Sequence, residues 1–507
     1  MTRLWSLLRE RPLWRLGGAT AAATQAVLVF WWVGFYPGTL SFDSVAYVWQ
    51  VSTGNWTTQH STLYNSLVWL SLRATGQLWV LTLAQTVALA AGLAYAVVGL
   101  RRIGAPGRWV FVAAVAVVCV PMVGTFTVYV SKDVPFALTM VWLLGTVARI
   151  IAVRPAIHYG LWWTLLAELV LMGLFRQNGF AVVAVTGVVL ALVLSGQRLR
   201  VLVCAGAAVA VGLAANLLLF PALGVRPAGP ELVWGPAYSD IAVAYAQRPS
   251  EFTQSDLALL RTVAPLSYWR STANCYNADS TVRFSDPSFS IDAARAHSGE
   301  LAALWTRLVK RMPDEIASTR LCRGSIAWNP FPGPAHGRTV KIPIAGATSY
   351  FDFPLSRLDN SPYKGAIRLD PLSPTAHQLG GWLRKLSDTP QFEWLAWRGA
   401  TWSYLAYLSL ILYARRRREV AVLGLGAAIL ANQLNVTLNN PGQLARYMAG
   451  PLILGILLLP LAFARPRPSI MRLDVHDRRD HDDSLMISAE GEAASEEPPA
   501  DRAADET

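Results

Sequence analysis

Charge, histidine and cysteine are all scarce in this chain. Only 15% of its 507 residues are charged while 53% are hydrophobic, and the mean hydropathy is +0.35. That balance excludes an ordinary soluble globule of this size. The seven histidines are scattered and the four cysteines form no cluster with them at zinc spacing, which argues against a structural zinc site. There is no glycine-rich phosphate loop and no internal repeat, so neither P-loop nucleotide chemistry nor a repeat architecture is indicated.

What is present is a series of long apolar runs, near 18–36, 78–100, 109–130, 134–153, 159–175, 179–195, 199–222, 399–414, 419–436 and 447–464. A run of about 20 apolar residues crosses a hydrocarbon core of roughly 30 Å as a helix, so about ten spans are expected. The net charge of +12 is distributed as a topology signal. Arg3, Arg9, Arg11 and Arg15 precede the first run. Arg101, Arg102 and Arg108, then Arg149 and Arg154, then Arg198 and Arg200, then Arg415 to Arg418 follow at alternate connections. Positive residues are retained on the cytoplasmic side, which places both termini in the cytoplasm. The pattern does not track a nucleic-acid groove, and no nucleic-acid partner is expected. The first run ends in Phe35-Tyr36-Pro37-Gly38 without a small-x-small cleavage site and reads as an uncleaved anchor in the cell membrane.

The expected fold class is therefore an all-α polytopic membrane protein. Residues 1–222 form an N-terminal membrane part of about seven spans, with a first outer loop at 38–77 whose interleaved aromatics suit interfacial helices. Residues 223–398 form a mainly helical extracytoplasmic domain, and 399–464 carry the last three spans. The acidic, proline-containing stretch 465–507 reads as a disordered cytoplasmic tail. Within the domain, Ala294, Leu301, Leu304, Trp305, Leu308 and Met312 keep a helical stripe from Ile291, broken at Pro313 and resumed to Leu321. Cys275 and Cys322 are the only cysteines in the large loop. An oxidising exterior permits a bond between them, closing a loop worth about 4 kcal/mol of chain entropy, with two free thiols as the alternative. Cys119 and Cys204 fall inside apolar runs, where cysteine acts as a small apolar residue.

With that topology, polar residues at outer span ends form a short list: Asp43 and His60 in the first outer loop, Lys132 and Asp133 after the third run, Arg176 and Asn178 after the fifth, and Arg446 with Tyr447 opening the tenth. Charges at such depth cost about 3 kcal/mol each on insertion scales and call for a reason. Each has a purely structural alternative. Asp43 suits the cap of an interfacial helix starting near Ser44, and Asp133 before Val134-Pro135 suits a helix cap. Arg176 with Asn178-Gly179 suits a C-terminal charge and a left-handed turn. Arg446 suits a snorkelling end, and His60 an interfacial ring.

Taken together, the segments Gly38-Thr39-Leu40-Ser41-Phe42-Asp43-Ser44, Gln59-His60-Ser61-Thr62-Leu63-Tyr64, Ser131-Lys132-Asp133, Phe175-Arg176-Gln177-Asn178-Gly179 and Arg446-Tyr447 resemble motifs of the GT-C superfamily of polyprenyl-phosphate-sugar glycosyltransferases, in an uncharacterised bacterial branch. The resemblance covers the membrane part. It departs from the family pattern at Ser61, where many relatives have proline after the histidine, and at Asp133, which lacks a nearby second acid. The resemblance implies a sugar donor on a polyprenyl phosphate, with Asp43 as general base toward an acceptor hydroxyl. Lys132, Arg176 and Arg446 would hold the leaving phosphate, Asp133 would orient the acceptor or a basic neighbour, and Asn178 would bond sugar hydroxyls. His60 and Tyr447 belong to the same substrate-binding motifs. A divalent cation, Mg or Mn, held by Asp43 and Asp133 is left open. The acceptor would be a cell-envelope glycan, lipid or protein. The rivals are a lipid-linked glycan ligase or polymerase, a transporter, for which the mid-span carboxyl Glu168 is the main candidate, and a membrane-anchored receptor.

Overall fold

An apolar segment in lipid has to pair every backbone N–H and C=O within itself, and helix is the simplest way to do so. The computed structural model describes residues 2–282, 286–334, 337–344 and 355–464, and these are all-helical: no strand occurs among the described residues, only isolated bridges. The tail expected at 465–507 lies outside the described residues. The membrane part opens with α1 (Thr2–Gly34), α2 (Phe42–Thr53), α3 (Thr62–Thr75) and α4 (Trp79–Arg102). It continues through α5 (Gly107–Cys119), α6 (Pro121–Thr127), α7 (Asp133–Val153), α8 (Tyr159–Phe175), α9 (Gly179–Val193) and α10 (Arg198–Ala214). Within the stretch 38–77, where helices were expected, lie α2 and α3.

Six helices are long and apolar enough to cross a membrane, or seven if the bent pair α5 and α6 counts as one span. The expectation of about ten is not met by length and hydropathy, and the shortfall has physical causes. Helices α8 and α9 have 17 and 15 residues, about 26 and 22 Å at 1.5 Å per residue, short of a full hydrocarbon core. The helix Gly399–Arg417 ends in Arg415, Arg416 and Arg417, which dilute its hydropathy. The run expected at 109–130 is bent by 70°, because Val120, with φ −64° and ψ 122°, precedes Pro121, and a residue before proline is pushed out of the helical region. The first helix also begins earlier than the apolar run, at Thr2.

In the 223–398 segment, helices Ile291–Ala296, Ser298–Arg311 and Pro313–Arg323 reproduce the expected stripe and its break at Pro313. Their Leu301, Leu304 and Leu308 pack with Tyr238, Ile241, Leu260 and Trp269 into a core separate from that of the membrane helices. Cys275 and Cys322 are bonded, with Cα atoms 5.7 Å apart. The bundle itself keeps many apolar side chains outward. The window at Arg198–Ala222 is only 28% buried, with Leu202, Val203, Val211 and Leu217 exposed, as a lipid-facing surface requires. Residues up to Ala464 form one compact unit.

Candidate active site

The site is assembled by two non-helical connections laid side by side. After α1 the chain turns at Gly38, whose φ is +153° and where a Cβ would stand 2.7 Å from the Val128 carbonyl oxygen; only glycine meets both conditions. The next residue, Thr39, donates to Val128 O at 3.0 Å and accepts from Val130 N at 3.0 Å. Ser44 Oγ donates to Val130 O at 2.9 Å. Helix α4 holds the same connection from its other side, since Gln85 Nε2 donates to Thr127 O at 2.8 Å and Tyr129 O at 3.1 Å. These bonds bring the first turn of α2, with Asp43, alongside the start of α7, with Asp133.

Neither acid is a helix cap residue. The residue before α2 is Ser41, whose N–H donates to Ser44 Oγ at 3.0 Å, and Asp133 is already the first residue of α7. Both carboxylates instead face Arg446, from a segment 403 residues beyond Asp43. Arg446 Nη1 donates to Asp43 Oδ2 at 2.6 Å and to Tyr129 OH at 2.9 Å, and its Nε lies 3.3 Å from Asp133 Oδ2. Arg176 Nε stands 3.9 Å from Asp133 Oδ1. The Tyr447 ring lies between the two guanidinium groups, 4.4 Å from that of Arg176 and 5.3 Å from that of Arg446. Lys132 donates from Nζ to Gln59 O at 3.2 Å. His60 is buried with its ring 4.8 Å from that of Tyr47.

Seven of the eight expected site residues thus gather at one end of the bundle. Asn178 does not join them through any hydrogen bond of its side chain among the described residues; it precedes α9 with φ −90°, so the left-handed turn anticipated there is also absent. Tyr129 was not anticipated. It shares a 2.6 Å hydrogen bond with Ser41 Oγ while accepting from Arg446. It lies in the connection between α6 and α7, four residues before Asp133, and that nearness in sequence was the available signal.

Electrostatics set the protonation states. Burial pushes the Asp43 carboxyl up, but Arg446 and Lys132 outweigh it and hold it below the usual carboxylate value. Burial drives His60 down to about 3, helped by Lys132 and opposed by Asp43, so its imidazole is neutral at ordinary pH. Burial raises Tyr129 to about 12 against the pull of Arg446, which keeps its hydroxyl a donor. Two carboxylates face three cations, Lys132, Arg176 and Arg446, leaving the cluster net positive. Four of its buried atoms, His60 Nδ1, Asp133 Oδ1, Arg176 Nη1 and Arg446 Nε, make no hydrogen bond within the protein. Such atoms are rare in packed interiors and call for a partner such as water, an ion or a ligand.

Two cavities lie near the cluster: one is bordered by Pro135 and Phe175, sequence neighbours of Asp133 and Arg176, and the other is lined by Tyr129, Arg446 and Tyr447 themselves. The first, of about 460 Å³, is a largely apolar groove between α3, α4, α7 and α8. Pro135, Leu138, Thr139 and Trp142 line it along one face of α7 below Asp133, with Leu67, Leu81 and Leu171 opposite. Glu168 also borders it, accepting from Thr146 Oγ1 at 2.8 Å. The other cavity, of about 320 Å³, lies between Ser41, Tyr129 and Arg446 on one side and the 223–398 segment on the other. No family model, curated protein or solved structure matches the chain.

Proposed function

We propose that the protein is a membrane glycosyltransferase that moves a sugar from a polyprenyl-phosphate donor to an acceptor hydroxyl of a cell-envelope glycan, lipid or protein, as the resemblance to the GT-C superfamily implies. The observation that carries this reading is the convergence of Asp43, Asp133, Arg176 and Arg446, from four distant stretches, on one place at the head of an apolar groove. In this reading all ten apolar segments lie in the membrane, both termini are cytoplasmic, and the 223–398 segment is outside. The bond between Cys275 and Cys322 supports that side, since disulfides persist in oxidising compartments.

The donor's lipid chain lies in the groove and its phosphate enters the net positive cluster, where Arg176, Arg446 and Lys132 hold it. A phosphate competes with Asp43 for Arg446, and the exchange releases the carboxylate that the guanidinium otherwise engages. The acceptor oxygen then bonds to the anomeric carbon as the bond from that carbon to the phosphate oxygen breaks, its electron pair leaving on phosphate. The hydroxyl proton passes to Asp43. A carboxylate held below its usual pKa is a weak base in the free enzyme, and the loss of its arginine partner restores its basicity. Asp133 keeps Arg446 and Arg176 oriented.

A divalent cation does not suit this donor set. Both carboxylates already face guanidinium groups, and no group of three His, Cys, Asp or Glu placed to hold a metal ion occurs among the described residues. Asp43→Asn is expected to abolish transfer of sugar from a polyprenyl-phosphate donor in purified protein while membrane insertion is retained. Undiminished turnover would remove Asp43 as the base.

A further inference from the structure

We infer that the cavity between Arg446 and the 223–398 segment is an acceptor subsite for a sugar bearing an anionic substituent, with Arg338 as its specificity-determining residue. The inference rests on the glycosyl-transfer reading and deepens it by naming the chemical class of the acceptor.

The cavity's 320 Å³ falls at the lower end of the range of roughly 300–1,000 Å³ found for small-molecule sites. Its charged lining is Arg338, Lys341 and Arg446 against the single carboxylate of Asp279. Two of the cations have protein partners. Arg446 is engaged by Asp43 and Asp133, and Lys341 Nζ donates to Asp388 O at 2.8 Å. Arg338 is exposed to the cavity, and no hydrogen bond or ion pair of its side chain occurs among the described residues. Burial, with repulsion from Arg384 and Arg338, also pulls the Lys341 ammonium down despite Glu393, and an anion between Arg338 and Lys341 relieves that repulsion.

The uncharged lining suits the rest of a sugar. Asn274 and Asn277 use their side-chain oxygens on Tyr276 N at 2.9 Å and Asp279 N at 3.1 Å. Both amide NH2 groups are left to donate to hydroxyls. Tyr276 offers a ring beside them.

The placement of Arg338 relative to the reaction centre is fixed by backbone pairing. Val340 N donates to Gln443 O at 2.7 Å and Ala445 N to Val340 O at 2.9 Å, so Arg338 sits two residues from the bond that holds the Arg446 segment. The donor's phosphate does not account for Arg338. The apolar groove shares no lining residue with this cavity, and Arg176 and Lys132, which the proposed reading gives to the donor phosphate, do not line the cavity.

The test uses the full-length protein in lipid nanodiscs, titrated with glucose 6-phosphate and with methyl glucoside as the uncharged probe. Glucose 6-phosphate is expected to bind on the order of tenfold tighter, the usual scale of one charge-assisted contact. Arg338→Ala should erase that preference and Arg338→Lys should keep most of it. Equal binding of the two probes overturns the proposal, and so does a preference that survives in Arg338→Ala. A preference lost in Arg176→Ala but kept in Arg338→Ala assigns the anion to the reaction centre and also overturns it. If Asp43→Asn abolishes transfer in any of those cases, only the acceptor subsite falls. If Arg338 governs the preference while Asp43→Asn transfers sugar normally, the subsite stands and the transfer reading falls.

Discussion

Two of the buried clusters of acid and arginine among the described residues are built differently. In the 223–398 segment, Asp240 is fully buried. Its Oδ2 accepts from Arg320 Nε at 2.7 Å and Trp305 Nε1 at 2.9 Å, and its Oδ1 lies 2.9 Å from Arg323 Nη1. Every partner is close, and the cluster ties helix Gly235–Gln247 to the helices that carry Trp305 and Cys322. At the head of the bundle, one contact is as short, the 2.6 Å bond from Arg446 to Asp43, but Asp133 has its cations at 3.3 and 3.9 Å. Both clusters leave buried atoms without a hydrogen bond, Asp240 Oδ1 and Arg323 Nε in the one and Asp133 Oδ1 and Arg446 Nε in the other; what differs is that no member of the Asp240 cluster lines either cavity, whereas Tyr129 and Arg446 line one, so only the looser cluster is open to a ligand.

Substituting the acid of each cluster separates these roles and should give the largest effects. Asp43→Asn is expected to lower transfer on the order of a thousandfold, the scale of a lost general base. Its cost in stability should be small, because Arg446 keeps Asp133 at 3.3 Å and Tyr129 at 2.9 Å. Asp240→Asn should instead destabilise the protein by about 3–5 kcal/mol, since it strands two guanidinium groups in a packed interior. Thermal unfolding in detergent, read beside turnover of the folded fraction, compares the two. If Asp240→Asn is no less stable than Asp43→Asn, the distinction between the clusters is wrong.

How much of this was legible in the sequence follows from what each signal measures. Hydropathy reports which segments are apolar, so the helices, the stripe ending at Pro313 and the loop helices α2 and α3 were readable. It averages over a window, and the 70° bend at Pro121 and the short α8 and α9 were read through as ordinary spans. Charges at helix ends flagged Asp43, Asp133, Arg176 and Arg446 because such placement is costly and needs a reason. Their mutual contact was invisible, since 403 residues separate Asp43 from Arg446 and no local pattern encodes that distance. Tyr129 was missed because tyrosine is common at membrane interfaces for reasons unrelated to chemistry. Asn178 was included on local sequence alone, and whether its side chain bonds to its neighbours in the cluster is a matter of tertiary geometry that local sequence does not encode.

His60 provides a second contrast, between a neutral buried group and the charged pairs around it. Its folded pKa, about 3, lies below the value of about 6.5 expected for the unfolded chain. As pH falls below 6.5 the unfolded state takes up a proton that the folded state refuses, so stability declines from there toward pH 3. By pH 4 the loss from this group is about 3 kcal/mol. His60→Gln should flatten that part of the stability curve between pH 6.5 and 4. Thermal melts of wild type and variant across that range check it, and parallel curves would mean that His60 titrates normally. The paired carboxylate Asp43, whose pKa is lowered, loses its contribution only at still lower pH, below the ordinary carboxylate value.

The smallest effect concerns how the looser cluster is held in place, and it falls on a residue with no polar group. Gly38→Ala puts a methyl 2.7 Å from Val128 O and 2.6 Å from Thr82 Cγ2, at a φ of +153° that alanine rarely adopts. Neither neighbour yields freely: Thr82 is buried, its hydroxyl donating to Pro37 O at 2.5 Å and accepting from Trp32 Nε1 at 3.1 Å, and the Val128 carbonyl cannot move without disturbing the bonds that Thr39 makes to Val128 and Val130. The expected cost is about 2 kcal/mol. Because that pairing sets Asp43 beside Asp133, turnover of the folded enzyme should also fall, by about tenfold. The matching substitution in the other region, Gly299→Ala, meets no atom within 4 Å and should leave both stability and turnover unchanged. Unfolding and transfer assays on the two variants decide it: if Gly38→Ala loses stability without losing turnover, the connection supports the fold but does not position the acid, and the alignment of Asp43 must come from Arg446 alone.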